Sequence, residues 1–138
     1  MGDTGTGKNA LSLHVLVADD DFFMQRLATI LLNSLGHTGV VVDDGEKALA
    51  ALAKRRFDLV LMDIMMPNMD GLQALASLRK QEQVNGRHQR VIMVTGHAEP
   101  TDRARLSAAG ADGYVSKPLE IDALERELRR VMSWHPHE

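Results

Sequence analysis

Three stretches of this chain carry acid or base where an apolar run stops. Asp63 ends the run Phe57-Asp58-Leu59-Val60-Leu61-Met62 and stands before the turn-forming Pro67-Asn68-Met69-Asp70-Gly71. The triplet Asp19-Asp20-Asp21 closes an earlier apolar segment, and Lys117, ahead of Pro118, closes a later one. If each run is a buried strand, these groups emerge together at the carboxyl edge of one sheet. Carboxylates about 4 Å apart repel by roughly 4 kcal/mol per pair at an effective dielectric of 20, a cost that needs compensating charge. A hard divalent cation supplies it. Mg2+ prefers an octahedron of oxygens and keeps several waters, so it suits one or two aspartates, a backbone carbonyl and a phosphoryl oxygen. The convergence points to a magnesium-dependent phosphoryl acceptor, with Asp63 at a reactive position. Lys117 is a point charge on a flexible stem, suited to meet a phosphoryl group and to hold Asp63 in its absence. Thr95, ending another apolar run before Gly96, can bring a hydroxyl to the same oxygens, although β-propensity alone also explains a threonine there.

Several features compete with this chemistry. Asp21 has an ordinary use as the cap of the helix that follows, where acids meet the positive end of the dipole. Capping does not explain why Asp20, Asp63 and Lys117 stand at matching strand ends. Asp43-Asp44-Gly45-Glu46 is acidic too, but its acid-x-x-Glu spacing before an apolar stretch is a capping signature. Gly2-Asp3-Thr4-Gly5-Thr6-Gly7-Lys8-Asn9 approaches a phosphate-binding loop, yet Asn9 replaces the magnesium-binding hydroxyl and no strand precedes it. His135-Pro136-His137 could chelate a metal only if a chain end held it still. Met62, Met65, Met66 and Met69 around the acceptor are better suited to packing the loop than to binding copper.

The elements that must position these groups follow from the apolar pattern. Five short segments read as strands: Val15 to Ala18, Val40 to Val42, Leu59 to Met62, Val91 to Val94, and Tyr114 with Val115. Each is followed by helical periodicity: Phe23, Leu27, Ile30, Leu31 and Ser34, stopped by Gly36; then Ala48, Leu49 and Leu52; then Leu72, Leu75 and Leu78. Ala104, Ala108 and Ala109 line a fourth helix, and Leu124, Leu128 and Val131 stripe a fifth. Residues Gln81 to Arg90, polar and containing Asn85-Gly86, are expected to form an exposed loop. Alternation of this kind predicts an α/β fold, a doubly wound five-stranded parallel sheet in the order 2-1-3-4-5 with helices on both faces. The functional crevice then lies beside strands one and three, where Asp19, Asp20 and Asp63 sit. Residues 1–11 are expected to be a flexible tail, 12–134 the domain, and 135–138 a second tail.

Composition narrows the classes. The 138 residues are 44% hydrophobic, enough for one compact domain. A net charge of -3, with basic residues interspersed among acids, argues against a nucleic-acid or anionic membrane partner. The chain has no cysteine, which excludes disulfides and thiolate metal sites and suits a cytoplasmic location. No apolar stretch reaches the roughly 20 residues of a membrane span, and no signal-peptide pattern opens the chain.

Four segments, Leu16-Val17-Ala18-Asp19-Asp20-Asp21, Leu61-Met62-Asp63-Ile64-Met65-Met66-Pro67-Asn68-Met69-Asp70-Gly71, Met93-Val94-Thr95-Gly96 and Gly113-Tyr114-Val115-Ser116-Lys117-Pro118, together resemble the receiver domains of two-component response regulators, over about Ser12 to Trp134. The resemblance implies that Asp63 accepts a phosphoryl group from a phosphohistidine on a sensor histidine kinase or histidine phosphotransfer protein. It implies further that Asp19, Asp20 and Asp63 bind Mg2+ with the backbone carbonyl of Met65, and that Thr95 and Lys117 are the hydroxyl and lysine of the site. Tyr114 falls on the aromatic switch position, turning inward when Thr95 moves toward the phosphoryl group and altering the surface read by a downstream protein effector. Met65 and His97 hold the two flanking positions that tune phosphoryl lifetime in such domains. The Lys117–Pro118 bond is a candidate for cis. A phosphorylation-promoted dimer through the fourth and fifth helices is one expectation, although charged positions there also suit plain solvation. A small-molecule phosphatase using Asp63 would need a second acid two residues on, where Met65 stands, and a module without phosphoryl chemistry would have no use for the set. No output region is expected after Trp134, so the readout is expected to pass through contacts with another protein or a separate chain, for a stand-alone regulator or for a receiver cut from a larger kinase or regulator.

Overall fold

The structure is a computed structural model and describes residues 12–96 and 100–133. Strand and helix alternate as β1 (His14–Ala18), α1 (Phe22–Ser34), β2 (Thr38–Val42), α2 (Gly45–Lys54), β3 (Leu59–Asp63), α3 (Gly71–Asn85), β4 (Val91–Thr95), α4 (Pro100–Ala108), β5 (Gly113–Ser116) and α5 (Ile121–Ser133). All five strands are parallel, in the order β2-β1-β3-β4-β5. This is the expected doubly wound order. The expected tails at 1–11 and 135–138, together with His97 and Trp134, lie outside the described residues.

Two cores form because successive strand side chains point to opposite faces. Val15, Val17, Leu59, Leu61, Ile92 and Val94 pack against Met24, Ala28 and Leu32 of α1 and Leu124, Leu128 and Val131 of α5. On the other face Leu16, Val60, Met62 and Met93 meet Ala48 of α2, Leu75 and Leu78 of α3, and Leu106 of α4. Parallel strands buried on both sides read as continuous apolar runs, and that is how β3 and β4 are built, each buried along its whole length.

Three expectations need correction. The helix after β1 buries Met24, Ala28 and Leu32, whereas Phe23 and Ile30, placed on the apolar face by periodicity, are exposed along with Phe22. Apolar residues surround this helix, so more than one register satisfies the 3.6 period, and the tertiary contacts choose. In α4 the buried residue is Leu106, while Ala104 and Ala108 face outward. Alanine is compatible with either side of a helix, so its spacing carries little directional information. The loop expected over Gln81 to Arg90 is shorter than that, because α3 continues through Asn85 and is stopped by Gly86 in the left-handed region at φ 74. Gln and Glu are good helix formers, and the Asn85-Gly86 pair marks the helix end instead of the middle of a loop.

Candidate acidic site at the carboxyl edge

The charged site residues are delivered by the ends of strands. Asp19 follows β1 and is buried; its backbone N–H donates to Val42 O at 3.1 Å, continuing the pairing of β1 with β2. Its Oδ1 accepts from the Asp21 N–H at 2.9 Å, and its carbonyl accepts from the Gln25 side chain at 2.6 Å. Asp21 caps α1, its carboxylate accepting from the Phe23 N–H at 3.0 Å, so the capping use is the one it has. Asp20 between them is exposed. Asp63 ends β3 with 4% of its surface accessible. Carboxylate oxygens of Asp19, Asp20 and Asp63 all lie within 4.8 Å of one another.

Lys117 follows β5, and its N–H donates to Thr95 O at 2.8 Å, an extension of the β4–β5 ladder. The Lys117–Pro118 bond is cis. The ammonium stands 3.1 Å from Asp63 Oδ1 and 4.0 Å from Asp19 Oδ2. Thr95 closes β4 and is buried at the same edge, one strand over from Asp63. Met65 lies in the loop beyond Asp63 with its side chain exposed. Tyr114 in β5 is half-buried; the Arg103 guanidinium sits over its ring at 5.1 Å, and its N–H donates to Glu127 at 2.9 Å.

Burial sets the electrostatics. Desolvation, with the neighbouring Asp63 carboxylate adding to it, pushes Asp19 up to about 6 in spite of the hydrogen bond from Asp21. Asp63 is also raised, chiefly by burial, with the Lys117 hydrogen bond and charge pulling the other way. Three carboxylates face one ammonium. At 4.8 Å and an effective dielectric of 20, each like-charged pair repels by about 3 kcal/mol. The donors are all hard carboxylate oxygens, which fits a hard divalent cation and no softer metal.

Periodicity and motif spacing left part of the scaffold unread. The loop after Asp63 is clamped at several points: Asn68, in the left-handed region at φ 65, donates from its side chain to Asp44 Oδ2 at 3.0 Å, and Gly45 N–H donates to Met69 O at 2.9 Å. Asp44 also caps α2 by accepting from the Lys47 N–H at 2.8 Å. The acidic Asp43–Glu46 stretch does cap α2, but through Asp44 and the Lys47 N–H instead of the acid-x-x-Glu pair of Asp43 and Glu46, and Asp44 also holds the loop after Asp63. Gly71 closes the loop with its N–H on Ile64 O at 2.8 Å, and a Cβ there would collide with the carbonyl oxygen of Asp63. Asp70 and Gln73 form a reciprocal capping box at the start of α3. The sequence signal for it, Asp70-x-x-Gln73, was available.

The family model described as the response regulator receiver domain matches residues 15–129. The sensor histidine kinase AruS of Pseudomonas aeruginosa is 35% identical over 130 residues, which are 94% of this chain and 13% of that protein. The transcriptional regulatory protein TcrA of Mycobacterium tuberculosis is 36% identical over 119 residues, 86% of this chain and 46% of that protein. The chain thus spans about half the length, or much less, of these curated relatives. Among solved structures, the chemotaxis response regulator CheY4 of Vibrio cholerae superimposes with a TM-score of 0.78 at 30% identity, covering 88% of this chain and 99% of that one.

Proposed function

This chain belongs to the response regulator receiver domain family, with the phosphoacceptor role in two-component signalling that the family carries, and on that premise we propose that Asp63 is the residue phosphorylated. The observation that supports it most directly is the buried Asp63 carboxylate with Lys117 Nζ at 3.1 Å and two further carboxylates within 4.8 Å. An Asp63 oxygen attacks phosphorus in line, the P–N bond to the donor histidine breaks, and the ring nitrogen keeps the electron pair. The product is an acyl phosphate. Asp19, Asp20, Asp63 and the Met65 carbonyl would hold Mg2+, which supplies charge neutralisation on the transferring oxygens. Lys117 exchanges its contact with the Asp63 carboxylate for one with the phosphoryl oxygens, and Thr95 donates its hydroxyl to another.

The donor is a phosphohistidine on a sensor kinase or phosphotransfer protein. Phe22 and Phe23 directly after the acidic run are 71% and 69% exposed, and Met65 just beyond Asp63 is 76% exposed. Exposed apolar side chains beside a charged site support contact with a protein over a free small molecule. The signal leaves through β5 and its flanking helices, where movement of Thr95 and Tyr114 alters the surface around Arg103 for a protein effector or for a second copy of the chain. Met65 has no side-chain hydrogen bond to offer an attacking water, so hydrolysis of the acyl phosphate is slow.

Labelling with acetyl phosphate and Mg2+, read by intact mass, tests the assignment. Wild type gains one phosphoryl group and Asp63→Asn gains none. Stoichiometric labelling of that variant would overturn it.

A further inference from the structure

The edge of the sheet opposite the acidic site carries a groove of about 820 Å³ formed by the α2–β3 and α3–β4 connections. It is basic, in a chain whose net charge is -3. Arg55, Arg56, Arg87 and Arg90 line it over an apolar floor whose accessible part is Leu52, Ala53 and Met132, with Phe57 and Leu78 buried beneath. The two carboxylates in the lining are already engaged. Asp58 Oδ2 accepts from the His14 N–H at 2.7 Å; Glu82 accepts from Arg79 at 2.8 Å and from the Gln89 N–H at 2.6 Å. Arg55 lies over the Phe57 ring at 5.4 Å with Nη2 2.8 Å from His14 Nε2, and Arg90 Nε donates to Val131 O at 3.1 Å. Arg56 and Arg87 have no side-chain partner among the described residues.

We propose that this groove binds an organic phosphate of the nucleotide class. Guanidinium groups present planar forks that match phosphate oxygens, and two with no side-chain partner among the described residues, on the two connections that wall one groove, can engage a phosphate chain without breaking a contact seen there. The apolar floor gives a planar, weakly polar portion of the ligand something to cover, which an inorganic ion would not use. The groove is large enough for such a molecule, since ligand pockets run to roughly 300–1,000 Å³. Its position away from Asp63 means that occupancy and phosphorylation need not exclude each other.

The test uses the full chain in EDTA, with ATP, adenosine and inorganic phosphate as separate probes, followed by calorimetry and backbone amide shifts. EDTA keeps the acidic edge unneutralised, so that edge repels all the phosphates. Saturable ATP binding is expected, with shifts concentrated in 52–58 and 85–91. Arg56→Ala combined with Arg87→Ala should weaken it about tenfold or more, as loss of charge-assisted contacts requires. Both side chains are exposed, and acetyl phosphate labelling of Asp63 in the double variant should match wild type, showing an intact fold. Adenosine and phosphate alone should each bind at least about tenfold more weakly than ATP. No saturable ATP binding up to about 5 mM, or equal affinity in the double variant, would overturn the proposal. Phosphate matching ATP would also overturn it, leaving an adventitious ion only.

Discussion

Replacing Asp19 by Asn should make the metal-free protein more stable at neutral and alkaline pH. Burial raises the Asp19 carboxyl from 3.8 to about 6, so the native state holds its proton more tightly than the unfolded chain does. The stability linked to that proton is fully present below pH 3.8 and is lost as pH rises through about 6; beyond that the fold carries a desolvated anion. A rise of about two units, at 1.36 kcal/mol each, corresponds to about 3 kcal/mol. Asparagine keeps an oxygen to accept the Asp21 N–H, now at 2.9 Å, and abolishes the charge. In EDTA at pH 8 the variant should therefore gain up to about 3 kcal/mol, or roughly 4 °C in Tm per kcal/mol for a domain of this size. The two proteins should converge as pH falls below 3.8. Mg2+ should stabilise wild type, by about 2.7 kcal/mol at a hundred times its dissociation constant, and stabilise the variant less. Urea unfolding followed by circular dichroism across pH 3–8, with and without Mg2+, measures each quantity. If Asp19→Asn is no more stable than wild type at pH 8 in EDTA, the claim that burial and mutual repulsion load this site with unfavourable charge is wrong.

Gly71→Ala forces a methyl group into the Asp63 carbonyl and to 3.0 Å from Met93 Cε, so it should destabilise by about 1–3 kcal/mol and also reduce acetyl phosphate labelling of the folded fraction. Unchanged labelling of well-folded protein would show that the backbone of Asp63 does not depend on this glycine. Met65→Asn, which places a hydrogen-bonding side chain beside the acceptor, should speed dephosphorylation; a decay assay of the acyl phosphate that gives the same or a slower rate would contradict this. Phe22→Ser with Phe23→Ser should leave labelling by acetyl phosphate intact and slow transfer from a phosphohistidine protein, and equal slowing with both donors would place the effect in the acidic site instead of on a docking surface.

The fold was readable because a parallel sheet buries its strands on both faces. Val15 to Ala18, Leu59 to Met62 and Val91 to Val94 are runs that no half-exposed strand would tolerate, and observed strand ends differ from the apolar runs by only one or two residues. Helix faces were less readable where apolar residues encircle the helix or where alanine dominates. In α1 the cap by Asp21 fixes where the helix begins, and the fit of Ala28 and Leu32 against Val15 and Val17 fixes its rotation, a contact that joins residues from separate elements. A period computed within one helix contains no information about that partner.

The site divides along the same line. Acids and a lysine at strand ends are local features, and parallel strands in register must bring them to one edge, so Asp19, Asp20, Asp63 and Lys117 could be assembled on paper and stand within reach of one another in the structure. What holds the loop after Asp63 in place is of another kind. The contact of Asn68 with Asp44 spans 24 residues and depends on a left-handed backbone at Asn68, and the exclusion of any side chain at Gly71 arises from a carbonyl eight residues earlier. Neither leaves a periodic trace. Asp44 shows why such residues escape a linear reading: its capping of α2 already accounts for an acid at that position, and the second hydrogen bond, from Asn68 in the loop after Asp63, adds a role without altering the local pattern. Residues that carry charge to a sheet edge can thus be inferred from strand order alone, whereas those that fix the geometry around Asp63 require the packed molecule.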